Sequence, residues 1–203
     1  MQGIRRSRLR AWVIAVAAVA VIASAVAGVW WTRFATYHFA TVRKGVLYRD
    51  GNRSMREFAH ACQRARIRTV VMLNDEQEAR RKPFSEEADF CRAGRIRLER
   101  IPISPGERPS SADVRLFLDI VADPDNQPVL VHCAQGLRRT GMMVAAYQLS
   151  VLNYTPEQAK AGILLWGRKP ERLDDVRGFI DDYDPQRRSV GLSHVVRRDE
   201  DKD

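Results

Sequence analysis

The chain has 203 residues, 45% hydrophobic and 29% charged, with a formal net charge of +9. That is enough for one domain of ordinary size plus appendages, with a core to bury. Five arginines and no acids fall within residues 1–33, so the rest carries 9 − 5 = +4; this suits an anionic substrate or membrane surface and excludes a nucleic-acid binder. The three cysteines, Cys62, Cys91 and Cys133, give neither a disulfide framework nor the spacing of a zinc site.

Arg5, Arg6, Arg8 and Arg10 form a basic N-terminus, residues 1–10, ahead of an uncharged run from Ala11 to Trp31. As a helix that run is roughly 30 Å long, about the thickness of a bilayer core. Trp12 stands at one end and Trp30 and Trp31 at the other, where amphipathic rings favour the interface. The expectation is a single-pass transmembrane anchor over 11–31, which also makes the membrane a partner. The arginines keep the N-terminus inside, which places the remaining chain on the extracytoplasmic side. A cleaved signal peptide is the alternative, with Ala23-Ser24-Ala25 or Ala25-Val26-Ala27 as the cleavage site.

Residues 32–44 read as a juxtamembrane connector, 45–186 as a folded domain and 187–203 as a charged, disordered tail. Within the domain, Val46–Tyr48 is a short strand. Ser54 and Glu57 open a helix running to about Ala65, with Phe58, Ala61 and Cys62 on one face. Thr69–Leu73 is a buried strand, Glu86–Arg92 a helix, and Arg97–Ile103 an alternating strand. Ser104–Pro109 is a loop. The following helix carries Val114, Phe117, Leu118 and Val121 at helical spacing and is capped by Ser110 with Asp113. Val129–Val131 is a third buried strand, and helices follow over about 140–152, from Thr155-Pro156, and over 173–183. Trp166 reads as a core residue. The pattern predicts an α/β fold: a mostly parallel central sheet of four to five strands flanked by helices, behind one N-terminal transmembrane helix.

The segment His132-Cys133-Ala134-Gln135-Gly136-Leu137-Arg138-Arg139-Thr140-Gly141 joins the third buried strand to a helix. Backbone N–H groups of such a loop, with the helix N-terminus, make a concave anion site. A thiol in that field ionises more easily, so Cys133 is a candidate nucleophile. Gly136 permits the turn. Arg139 offers a planar fork for phosphate oxygens. Thr140 is placed to donate to the sulfur as it leaves, and His132 to support the loop. Arg138 either reads extra negative charge or faces water.

The run His-Cys-x5-Arg-Thr-Gly, together with Gly45–Arg49 and Ile67–Leu73, resembles the cysteine-based protein tyrosine phosphatase superfamily, and within it the compact dual-specificity group. The resemblance implies phosphomonoester hydrolysis through a phosphocysteine on Cys133, with no metal or organic cofactor. It makes 45–186 a phosphatase domain and residues 132–139 its phosphate-binding loop. The implied substrates are phosphorylated proteins. Phosphoinositides, other lipid phosphates and inositol phosphates or pyrophosphates are the rivals.

Many members carry an aspartate general acid about thirty residues before the cysteine. Here the matching stretch is Pro102-Ile103-Ser104-Pro105-Gly106-Glu107, with a proline near that place. Glu107 and Asp113 are the candidate acids, Asp113 with capping as its competing role. Asp75 and Glu76 are further carboxylates after the second buried strand. Absence of any acid would suit a good leaving group such as a pyrophosphate, or leave a phosphate-binding pseudo-phosphatase. A redox sensor would instead need Cys133 to pair with Cys62 or Cys91. Oligomeric state is not legible.

Overall fold

A computed structural model describes residues 2–34, 37–164 and 173–190, with side chains of the first helix described over Trp12–Gly28. Two compact units divide the chain, Met1–Ala35 and Thr36–Asp203. The first is one helix, α1 (Gln2–Phe34). Among the described residues no helix is long and apolar enough to cross a membrane. The stretch Trp12–Gly28 is exposed and rich in alanine. The expected anchor over 11–31 is therefore corrected, and with it the membrane as partner and the extracytoplasmic placement. Trp166 and the tail from residue 191 lie outside the described residues.

The second unit is a three-layer α/β sandwich. Its strands are β1 (Ala40–Arg43), β2 (Leu47–Gly51), β3 (Thr69–Asn74), β4 (Arg97–Ile103) and β5 (Val129–Cys133), in the order β1-β2-β5-β3-β4. All neighbours are parallel except β1 and β2. The sheet is thus mixed, with a parallel core. The edge strand β1 lies inside what the sequence reads as a connector. Its exposed and half-buried positions alternate with no long apolar run to signal it. A small second sheet pairs β6 (Tyr183–Asp184) with β7 (Ser189–Val190), which extends ordered structure into the expected tail.

Helix starts follow local chemistry. Ser54 caps α2 (Met55–Ala65), and Arg66 ends it in the left-handed region at φ 52°. Ser110 and Asp113 close a capping box on α5 (Ser111–Ala122), and Thr155 and Gln158 another on α7 (Pro156–Ala161). Two short helices, α3 (Glu76–Ala79) and α4 (Glu87–Ala93), precede β4. The long central helix α6 (Arg138–Ser150) begins two residues earlier than the sequence implies, and α8 (Asp174–Asp182) packs on it.

β5 sits at the centre and is buried along its whole length. Strand alternation divides its side chains between two cores. Val129, Val131 and Cys133 join Leu47, Val71 and Leu73 in the layer filled by α5, α6, α7 and α8. Leu130 joins Val70 in the opposite layer, with Phe58 and Cys62 of α2 and Cys91 of α4. Phe117 is fully buried in the larger layer. Phe117→Ala is expected to lower unfolding free energy by about 3–5 kcal/mol, read as a lower urea midpoint with unchanged slope.

Candidate active site

Cys133 ends β5, and the chain then reverses through Ala134–Leu137 into α6. Gly136 takes φ +67°, and a side chain there would come within 2.3 Å of the backbone oxygen of Asp50. Gly51, at the end of β2, is as constrained: a Cβ on it would meet the Gln135 carbonyl at 2.6 Å. Two glycines thus let two backbones touch.

That contact is fixed by side chains from outside the loop. Nη2 of buried Arg49 donates to the Gly136 carbonyl at 2.6 Å. Nδ1 of His38 donates to the Gln135 carbonyl at 2.8 Å. With both carbonyls held outward, the N–H groups turn in, and Gly136 N donates to Cys133 Sγ at 3.2 Å. Leu137 precedes α6 as its N-cap with no side-chain cap hydrogen bond, and the backbone of Thr140 in the first turn bonds Cys133.

Burial alone raises the Cys133 thiol pKa. The charge of Arg139, the hydroxyl and backbone of Thr140 and the backbone of Gln135 outweigh it and hold the thiol below its ordinary value. Thr140 is fully buried, and its hydroxyl has no other hydrogen-bond partner among the described residues. Burial draws Arg49 down to about 10, against the pull of Cys133.

Arg139 is held by residues distant in sequence. Nη1 donates to the carbonyls of Ile103 at 2.9 Å and Leu73 at 3.3 Å. Glu78 accepts from Nη1 at 2.5 Å and from Nη2 at 3.0 Å. Asn74 Nδ2 and Asp75 N donate in turn to Glu78, at 3.1 and 3.3 Å. The Nε of Arg139 makes no hydrogen bond among the described residues, so it is available to an oxyanion.

The cleft above the loop has a volume of about 230 Å³ and is lined by Cys133, Ala134, Gln135, Arg138, Arg139, Glu78, Pro105, Gly106 and Glu107. Glu107 therefore stands at the mouth, whereas Asp113 is engaged with the N–H and hydroxyl of Ser110 at 2.8 and 2.7 Å. Asp75 caps α3, and Glu76 pairs with Arg100 at 3.0 Å. Arg138 lines the cleft and pairs with Asp175 of α8. His132 points away from the cleft, 5.1 Å from the ring of Phe58. All three cysteines are free, and Cys62 and Cys91 lie in the layer across the sheet from Cys133. Among the described residues no group of His, Cys, Asp or Glu is arranged to hold a metal ion.

The chain matches the family of DSP-PTPase phosphatases fused to NAD+ kinase over residues 43–171. It belongs to that family. Curated relatives include inositol diphosphatase SIW14 of Saccharomyces cerevisiae, 27% identical over 49% of this chain and 35% of SIW14. Inositol diphosphatase DSP1 of Oryza sativa is 34% identical over 53% of this chain and 47% of its own length. The matched part is thus half or less of either relative. The crystal structure of the core catalytic domain of the PP-IP phosphatase SIW14 superposes with a TM-score of 0.62 at 25% identity, covering 73% of this chain and 86% of that one.

Sequence reasoning missed Glu78, Arg49 and His38. Glu78 sits in a short helix with no apolar face, and His38 lies just ahead of the unread strand β1; neither has a local signal. Arg49 does leave one, a cation inside an otherwise strand-like run. Gly136→Ala is expected to strain the backbone and push β2 from the loop. It should cost about 1–3 kcal/mol in thermal or urea unfolding and weaken inorganic phosphate binding, read by calorimetry.

Proposed function

We propose that this chain is a cysteine-dependent phosphatase whose substrates are inositol pyrophosphates. The observation that carries the reaction is the inward-turned loop with Cys133 and Arg139 on one cleft. The Cys133 thiolate attacks phosphorus, the P–O bond to the leaving group breaks, and its electron pair departs with that oxygen. Water then attacks the phosphocysteine, releasing inorganic phosphate and restoring the thiolate. Arg139 and the loop N–H groups stabilise the equatorial oxygens in both steps. The Thr140 hydroxyl donates to the sulfur as it leaves.

Two observations favour the substrate class. Both curated relatives reported above are named inositol diphosphatases. Among the described residues the only carboxylates lining the cleft are Glu78 and Glu107, and Glu78 is committed to Arg139. A phosphate leaving from a pyrophosphate is already a weak base and needs little protonation. Glu107, exposed and with no hydrogen bond to its carboxylate among the described residues, is the acid that serves more basic leaving groups. Phosphoprotein hydrolysis is the second reading, favoured by the dual-specificity description of the family.

Phosphate release by the full chain under reducing conditions tests both. The panel holds an inositol pyrophosphate, a phosphoinositide in vesicles and a phosphotyrosine peptide. Cys133→Ser should abolish all release. Glu107→Gln should lower kcat by less than about tenfold on the pyrophosphate and by about 10²-fold or more on the peptide. Release from the peptide alone would favour the second reading. A folded wild type that binds phosphate and releases none from any substrate would leave a phosphate-binding module.

A further inference from the structure

β5 gives its last two residues to opposite sides of the sheet. Cys133 faces the cleft, and His132 faces the layer of α2 and α4. There the imidazole is fully buried, and its Nε2 lies 2.9 Å from Oε2 of Glu87, in the first turn of α4. Glu87 is also fully buried. Its other oxygen accepts from the amide of buried Asn52, which directly follows Gly51 at the end of β2. One carboxylate is therefore clamped between the ends of the two strands whose backbones shape the active loop. Asn52 N also donates to the Cys133 carbonyl at 3.3 Å, which ties this clamp to the nucleophile's own peptide.

A buried carboxylate persists as an ion only where a cation or several donors compensate it. The titratable groups facing the pair are Asp50 from β2, Cys62 from α2, Cys91 from α4 and Cys133 from β5, with Glu57 of α2 acting on Asp50. Burial pushes Asp50 up to about 8 despite the opposing pull of His132, so near neutral pH it is largely uncharged. Burial also pushes up the thiols of Cys62 and Cys91, which stay protonated. Glu87 is then the carboxyl group in contact with His132 on this side. Burial alone lowers the His132 pKa, but the charge and contact of Glu87, then Asp50 and Cys133, reverse it, and the net direction is upward.

We propose that Glu87 is a positioning residue of the active loop: it holds His132 as an imidazolium behind the end of β5, and that charge stabilises the Cys133 thiolate in front of it. Its catalytic purpose rests on the phosphatase reading, but its effect on the thiol does not. The full-length protein, Glu87→Gln and Glu87→Asp are alkylated with iodoacetamide between about pH 4 and about pH 9. Modification of Cys133 is read by peptide mass, apart from Cys62 and Cys91. The amide variant is expected to move the Cys133 midpoint up by about one pH unit, a tenfold loss of thiolate relative to thiol at fixed pH. Glu87→Asp should recover part of the shift, and the acid limb of kcat/KM should move with the midpoint.

Unchanged midpoints in a folded Glu87→Gln protein, checked by thermal melt, overturn the proposal. If that variant does not fold, ¹⁵N shifts of the wild-type imidazole decide. An imidazolium at His132 at neutral pH supports the proposal, and a neutral ring overturns it. Should the wild type release no phosphate while the alkylation midpoint still shifts, the phosphatase reading fails and the role of Glu87 stands.

Discussion

Gly51 and Gly136 bring the end of β2 and the loop after β5 into backbone contact, and the chemistry of the cleft depends on that approach. A Cβ on Gly136 would sit 2.3 Å from the Asp50 oxygen. With both side chains absent, Arg49 and His38 reach the loop carbonyls and hold them away from the sulfur. The inward N–H groups follow from this, because a peptide whose carbonyl is fixed on one side presents its N–H on the other. The sulfur thus meets preset donors rather than donors that must reorganise as charge moves.

The same economy governs the buried charges. Arg139 meets Glu78 in front of the sheet, His132 meets Glu87 behind it, and Arg49 lies in the field of Cys133. Each cation is matched before substrate arrives. The fork of Arg139 keeps one edge on Glu78 and leaves Nε for a phosphate oxygen, so binding does not have to break the pair that orients the guanidinium. Asp50 is the unmatched acid, and burial moves it toward its neutral form instead.

The position of Cys133, its loop and most of the parallel sheet were readable because their signals are local. A β-branched run, a thiol, a glycine at positive φ and a helix start lie within a dozen residues around Cys133. Capping boxes at Ser110 and Thr155 were readable for the same reason. Glu78, His38, Arg49 and Glu87 act across 61, 97, 87 and 45 positions, as 139 − 78, 135 − 38, 136 − 49 and 132 − 87 give. Sequence spacing holds no record of such partners. The apolar N-terminal run misled in a different way: absence of charge along Ala11–Trp31 suggests a span, whereas among the described residues no helix is long and apolar enough to cross a membrane. The strand β1 was hidden because a half-exposed edge needs no apolar run.

The missing aspartate is coherent with the rest of the cleft. A carboxylic acid that protonates a leaving oxygen must be both near it and uncommitted. Glu78 is near but holds Arg139, and Asp113 is occupied by the start of α5. Among the described residues only Glu107 lines the cleft with a carboxylate that makes no hydrogen bond, and it stands on an exposed loop. An enzyme with this arrangement puts its stabilisation into the loop donors and Arg139, and gains most from substrates whose leaving oxygen is already stable as an anion. A phosphoanhydride meets that condition, and a phenol or an alcohol does not.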